Sequence, residues 1–182
     1  MKAKNSRYII GIDLGTTNSL AAVWKDGRPI IVHPEGKAGN VPSVIHFPGE
    51  GKAPVVGRGG RDLAAASPER TLFSIKRLMG RRADDLGDEL AMIPFPVKDG
   101  EDGVLRIHVD ERPFTPQELS ALILNRVHDH GCRALNDEKP DRVVITVPAY
   151  FDDAQRQATR DAARPAPRRR AAASPRHAPG QG

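Results

Sequence analysis

The chain has 182 residues, enough for one domain with a real core, and 38% hydrophobic content with a mean hydropathy of -0.48 fits a soluble globular protein. No apolar run approaches the roughly 20 residues that span a bilayer, and residues 1 to 7 lack a signal-peptide core, so a cytoplasmic location without a membrane partner is expected. The net charge of +5 invites a nucleic-acid reading, but Arg168, Arg169, Arg170 and Arg176 carry the excess; residues 1 to 164 hold 24 basic and 23 acidic side chains, which argues against nucleic acid as a partner.

Residues 7 to 34 read as three antiparallel strands. Two apolar β-type runs flank Gly15-Thr16-Thr17-Asn18, so the backbone must reverse at a turn of small and hydroxyl residues. Gly15 allows close approach of a ligand, and successive N–H groups with the Thr16 and Thr17 hydroxyls can line up as donors to phosphate oxygens. Asp13 stands just before the turn in a strand that otherwise reads as buried, where a carboxylate is costly unless it is paired or serves a metal ion. Lys25-Asp-Gly-Arg28 is a hairpin signal, residues 29 to 33 supply the third strand, residues 35 to 40 have turn composition, and residues 41 to 47 resume an extended pattern.

From residue 44 to 114 short β-like pieces alternate with Gly/Pro turns, which reads as a smaller inserted lobe. Residues 60 to 66 are helix-compatible, Pro68 breaks the pattern, and a second helix is expected over residues 69 to 80, with Leu72, Ile75 and Met79 on one face and Lys76 alongside. Thr115-Pro-Gln-Glu118 is a capping box with proline at the first helical position, followed by the apolar stripe Leu119, Leu122, Ile123 and Val127. Residues 143 to 147 form an apolar run that fits a strand covered on both faces. Asp152 and Asp153 then cap a helix whose Ala154, Ala158 and Ala162 make a small-residue face suited to packing on a sheet. His128 and Cys132 stand at i, i+4 but are too few ligands for a metal site, and the single cysteine fits a reducing compartment. After Arg164, 15 of 18 residues are Ala, Pro, Arg or Gly, a composition expected to be disordered and, given its GC-rich codons, to reflect a frameshifted or misjoined end.

Gly11-Ile-Asp-Leu-Gly-Thr-Thr-Asn-Ser19 resembles the first phosphate loop of the DnaK/HscA-type 70-kDa heat-shock chaperones, relatives of actin and the sugar kinases. Thr71-Leu-Phe-Ser-Ile-Lys-Arg-Leu-Met-Gly-Arg-Arg82 and Val143-Val-Ile-Thr-Val-Pro-Ala-Tyr-Phe-Asp-Asp-Ala-Gln-Arg-Gln-Ala-Thr-Arg-Asp-Ala-Ala-Arg164 are similar to chaperone segments in the same order and spacing. The resemblance implies an α/β, actin-like ATPase (ribonuclease H-like) fold, incomplete, with residues 1–43 and 115–164 as the core of lobe I and 44–114 as an inserted α+β subdomain; residues 165–182 form the disordered Ala/Pro/Arg tail.

The same resemblance implies ATP and Mg²⁺ as cofactors. Asp13 would hold the Mg²⁺ shell through water, Gly15, Thr16, Thr17 and Asn18 would donate to phosphates, and Lys76 would reach the γ-phosphate and the attacking water. A lysine beside Arg77 on an amphipathic helix is ordinarily a solvated surface residue; the surrounding segment match reverses that reading. Pro148 and Arg156 match the family's interdomain relay. The implied function is the ATP-binding portion of a molecular chaperone of the stress response, partnered in full length by unfolded clients, a J-domain co-chaperone and a nucleotide exchange factor. Without the second phosphate loop and adenosine segment, the chain alone is expected to be inactive. The alternatives are a sugar or metabolite kinase of the same superfamily, and a truncated product that acts only by binding.

Overall fold

The computed structural model describes residues 8–25, 27–33, 40–49 and 51–164. The expected tail over 165–182, Asp26 of the hairpin and most of the 35–40 turn therefore lie outside the described residues. Strand β1 (Ile9–Asp13) alternates so that Ile10 and Ile12 are buried, and β2 (Asn18–Lys25) does the same with Ser19, Ala21 and Val23. Gly27, with φ 77, lets the chain turn into β3 (Arg28–Ile31). Next come β4 (Val41–Pro42), β5 (Val44–His46), β6 (Val55–Val56), helix α1 (Arg58–Asp62) and β7 (Thr71–Phe73). Helix α2 (Ala83–Leu86), strands β8 (Val97–Asp99), β9 (Leu105–Val109) and β10 (Arg112–Phe114), helix α3 (Pro116–Ala134), β11 (Arg142–Thr146) and α4 (Asp153–Ala163) complete the order.

The main sheet runs β11-β1-β2-β3, with β4 also paired to β2. The first three strands are antiparallel as expected, and β11 joins β1 in parallel, which puts Thr146 opposite Asp13. Two three-stranded antiparallel sheets, β6-β5-β7 and β10-β9-β8, fill the region between. One buried cluster links them to the main sheet through Ile45, Leu72, Leu105 and Ile107.

Helix α3 covers one face of the main sheet. Its start is the expected one: Thr115 Oγ1 accepts from the Glu118 N–H at 3.1 Å, and the Glu118 carboxylate accepts from the Thr115 N–H at 2.8 Å. Leu119, Ile123 and Val127 are buried along its inner stripe. Gly131 sits so close to β1 that a Cβ there would come within 2.7 Å of Ile10 Cδ1. On the opposite face, register aligns Ile31, Ala22, Gly11 and Val144 in one cross-strand row, and Ile31 and Val144 are half exposed.

Several expectations need correction. The helix over 69 to 80 is absent: a 3-10 turn (Pro68–Arg70) leads into β7, and a second (Ile75–Leu78) follows. Ser74 takes a left-handed conformation, φ 59 and ψ 22, which breaks any helix, and pairing of Leu72 with Ile45 gives the backbone a better partner. Leu72, Ile75 and Met79 are nonetheless all buried. The helix expected over 60 to 66 is the short α1, where Gly60 packs against the Val55 carbonyl. The 143 to 147 run is not covered on both faces: Val143 and Val144, which point to opposite sides of β11, are 42% and 53% exposed. Finally, α4 buries Ala158 and Ala162 chiefly against α3, which already occupies the sheet, while Ala154 stays exposed.

Candidate functional site

The bend between β1 and β2 is held from beneath. Leu14 is buried and anchors it, and a Cβ on Gly15 would collide with the Asn18 carbonyl, so the tight reversal requires glycine. Below the bend, the Ser19 and Ser43 hydroxyls hydrogen-bond to each other at 2.9 Å. The Gly15 N–H donates to Ser19 Oγ at 3.3 Å, and Ser43 Oγ donates to the Gly15 carbonyl at 2.8 Å. The Ser43 N–H adds a bond to the Thr17 carbonyl at 2.9 Å. These four contacts satisfy the inner polar groups of the bend, while Thr17 and Asn18 remain exposed and Thr16 half-buried.

Asp13 lies at the end of β1 and is exposed, which corrects the expectation of a buried carboxylate; the alternation that buries Ile10, Ile12 and Leu14 turns it to the open side. Its Oδ1 accepts from Thr146 Oγ1 at 3.0 Å. A carboxylate offers about four lone-pair sites, so this bond leaves capacity for the water shell of a hard cation. The donor set therefore fits a magnesium ion held through water by Asp13. His128 and Cys132 meet at 3.7 Å on α3, and among the described residues no group of three or more His, Cys, Asp or Glu could hold a metal directly.

Lys76 stands on the 3-10 turn anchored by buried Ile75 and Leu78. Burial pushes its pKa below the ordinary lysine value, and the Asp13 carboxylate, the smaller influence, pulls it back up. Its Nζ sits 5.4 Å from the centroid of the Phe151 ring. Phe151 is buried in the turn that begins at Pro148, whose carbonyl accepts from the Phe151 N–H at 3.2 Å. Arg156 grips the same turn from α4: Nε donates to the Phe151 carbonyl at 2.9 Å and Nη2 to the Ala149 carbonyl at 3.0 Å.

Asp13 and Lys76 are thus brought together beside the bend, and Pro148 and Arg156 are joined to Lys76 through Phe151. Sequence reasoning missed Phe151, Thr146, Ser19 and Ser43 as supports. Thr146 had a signal, as the one polar residue in an apolar run, and Phe151 another, in a chain with only 4% aromatic residues. Ser43 had none, since its partner Gly15 is 28 positions away. Chemically, the surface offers exposed donors for an anion, a carboxylate for a hydrated cation and an ammonium held in place by packing.

A profile of the Hsp70 protein family matches residues 9–167. The "Chaperone protein DnaK" of Deinococcus proteolyticus is 46% identical over 154 residues, covering 84% of this chain and 24% of that protein. The protein of the same name from Thermus thermophilus is 42% identical over 155 residues, 85% of this chain and 25% of its own length. That of Deinococcus radiodurans is 45% identical over 154 residues, 84% and 24%. The chain spans about a quarter of the length of the curated relatives it matches.

Proposed function

The chain belongs to the Hsp70 protein family, and from that membership we propose that its β1–β2 bend and Lys76 form one wall of an ATP site in the nucleotide-binding part of a chaperone. The family carries an actin-like ATPase fold, with which the mixed α/β sheets agree. The observation that supports the reading most is the placing of Lys76, partly buried on its 3-10 turn with Nζ 5.4 Å from the Phe151 ring centroid, where the Asp13 carboxylate raises its pKa against the lowering by burial.

In this reading Asp13 holds the water shell of Mg²⁺, which when bound neutralises phosphate charge. Gly15, Thr16, Thr17 and Asn18 donate to phosphate oxygens, subject to the long bond that already occupies the Gly15 N–H. The Lys76 ammonium faces the γ-phosphate and stabilises the charge that grows as water attacks phosphorus and the bond to ADP breaks. Phe151 keeps that ammonium in place, and Arg156 keeps Phe151 in place. The turn from Pro148 to Arg156 acts as the relay toward a peptide-binding part. Residues 1–43 and 115–164 form the core of lobe I, and residues 44–114 are its inserted subdomain. The complete protein works in the cytoplasm on unfolded clients, with a J-domain co-chaperone and a nucleotide exchange factor.

A cleft of two lobes offers one wall in these 182 residues, so the polypeptide by itself binds ATP weakly and does not hydrolyse it usefully. Isothermal titration of the chain with Mg-ATP tests this: no saturable heat at micromolar concentrations is expected, and a micromolar or tighter Kd would overturn it.

A further inference from the structure

Between the 3-10 turn Ile75–Leu78 and the chain that runs from α2 into β8 lies a cavity of about 160 Å³. Phe73, Leu78, Leu86, Ile93 and Phe95 give it apolar walls, and Leu78, Leu86 and Phe95 are themselves buried. An apolar cavity of about 150 Å³ stays dry and takes up one benzene ring. The Phe73 and Phe95 rings stand edge to face, 6.2 Å between centroids and at 85°, so a third ring can rest against them in the geometry aromatic groups prefer.

The charged groups on the wall select which ring. They are Arg77 and Glu89. Glu89 is already paired with Arg81 at 3.1 Å, whereas among the described residues the Arg77 guanidinium is in no hydrogen bond or ion pair. A neutral ring would fill the walls and leave that guanidinium unused. A cationic one would meet Arg77 with no free carboxylate to offset it. A ring bearing a carboxylate uses both features, because the planar guanidinium donates two parallel hydrogen bonds to such a group.

We propose that this cavity binds a small aromatic carboxylate, with its ring against Phe73 and Phe95 and its carboxylate on Arg77. Met92, 80% exposed on the cavity wall, has the flexible side chain to close over such a ring. The occupant is a free small molecule, since the apolar space ends at the size of one ring. Neither Asp13, Lys76 nor the bend lines the cavity, and its occupation requires no nucleotide.

The test uses the full chain and three probes of one size: phenylacetate, its neutral analogue phenylacetamide and the cation 2-phenylethylamine. Titration followed by NMR is expected to give phenylacetate a Kd of about 1 mM or tighter, within reach of about ten non-hydrogen atoms, and to find the other two weaker by about tenfold or more. Arg77→Gln is expected to lower phenylacetate affinity about tenfold, to the level of the amide, and to leave the amide unchanged. Nuclear Overhauser contacts from the probe's ring protons to the methyls of Leu78 and Leu86 are expected to locate it. Ile93→Trp, which fills the space, is expected to abolish binding; should that variant misfold, the Arg77→Gln comparison and the Overhauser contacts still decide. No saturable binding of phenylacetate at millimolar concentrations would overturn the proposal. So would equal affinity for acid and amide, an unchanged phenylacetate affinity in Arg77→Gln, or contacts only to methyls outside the cavity. The assay contains no nucleotide, so its failure leaves the ATP reading untouched.

Discussion

Beneath the bend, Ser43 donates to the Gly15 carbonyl while it shares a hydrogen bond with Ser19, and both serines are almost wholly buried. Ser43→Ala strips that carbonyl and that hydroxyl of a partner in a place water cannot easily reach. A loss of about 1 to 3 kcal/mol in unfolding free energy is expected, measured by urea titration. Lys76 gives a second prediction, in pH. The folded state lowers its pKa below 10.5, so between that depressed value and 10.5 the unfolded chain keeps a proton the folded chain has released. Stability therefore rises with pH across this window, and Lys76→Met is expected to remove that part of the rise; parallel stability profiles for the two proteins would contradict it. Asp13, Gly15 and Lys76 could be singled out as candidates from the sequence because each stands in a local run. The burial of Asp13 was misread because its apolar neighbours Ile12 and Leu14 were weighed above the period of two that turns it away from them. Ser43 was illegible because its role is set by a fold contact between distant segments.

Elements with their own start signals were the readable ones. Helix α3 announces itself by Thr115, Pro116 and Glu118, and the first hairpin by Asp26 and Gly27, whereas β7 was masked by an apolar spacing that fits helix equally well. Only pairing with β5 and the left-handed Ser74 decide between them. The junction of the Lys76 turn with α4 rests on Gly80, whose φ is 69 and where a Cβ would lie 2.6 Å from the Gln155 N atom. Gly80→Ala is expected to cost about 2 kcal/mol or more, since strain in the left-handed region adds to a collision with backbone. Gly51→Ala, at φ 67 with no atom within 4 Å of the added carbon, is expected to cost clearly less. Thermal unfolding of the two variants side by side makes the comparison, and equal losses would show that α4 does not press on this turn.

At the scale of the molecule, a single buried cluster ties the main sheet to the two smaller sheets, and this continuity fixes Lys76 relative to Asp13 across a long stretch of chain. The antiparallel sense of the first three strands was readable from strand runs and turn residues, whereas the parallel pairing of β11 with β1, which joins segments more than a hundred positions apart, was not. Placing residues 9–164 of this chain into the Deinococcus proteolyticus relative, in place of the matched segment, asks most directly whether the bend and lysine receive a triphosphate. The chimera is expected to hydrolyse ATP, and Lys76→Ala within it to lower turnover by about a hundredfold, the usual effect of removing one group that stabilises transition-state charge. A folded, ATP-binding chimera whose turnover does not change with Lys76→Ala would contradict the account.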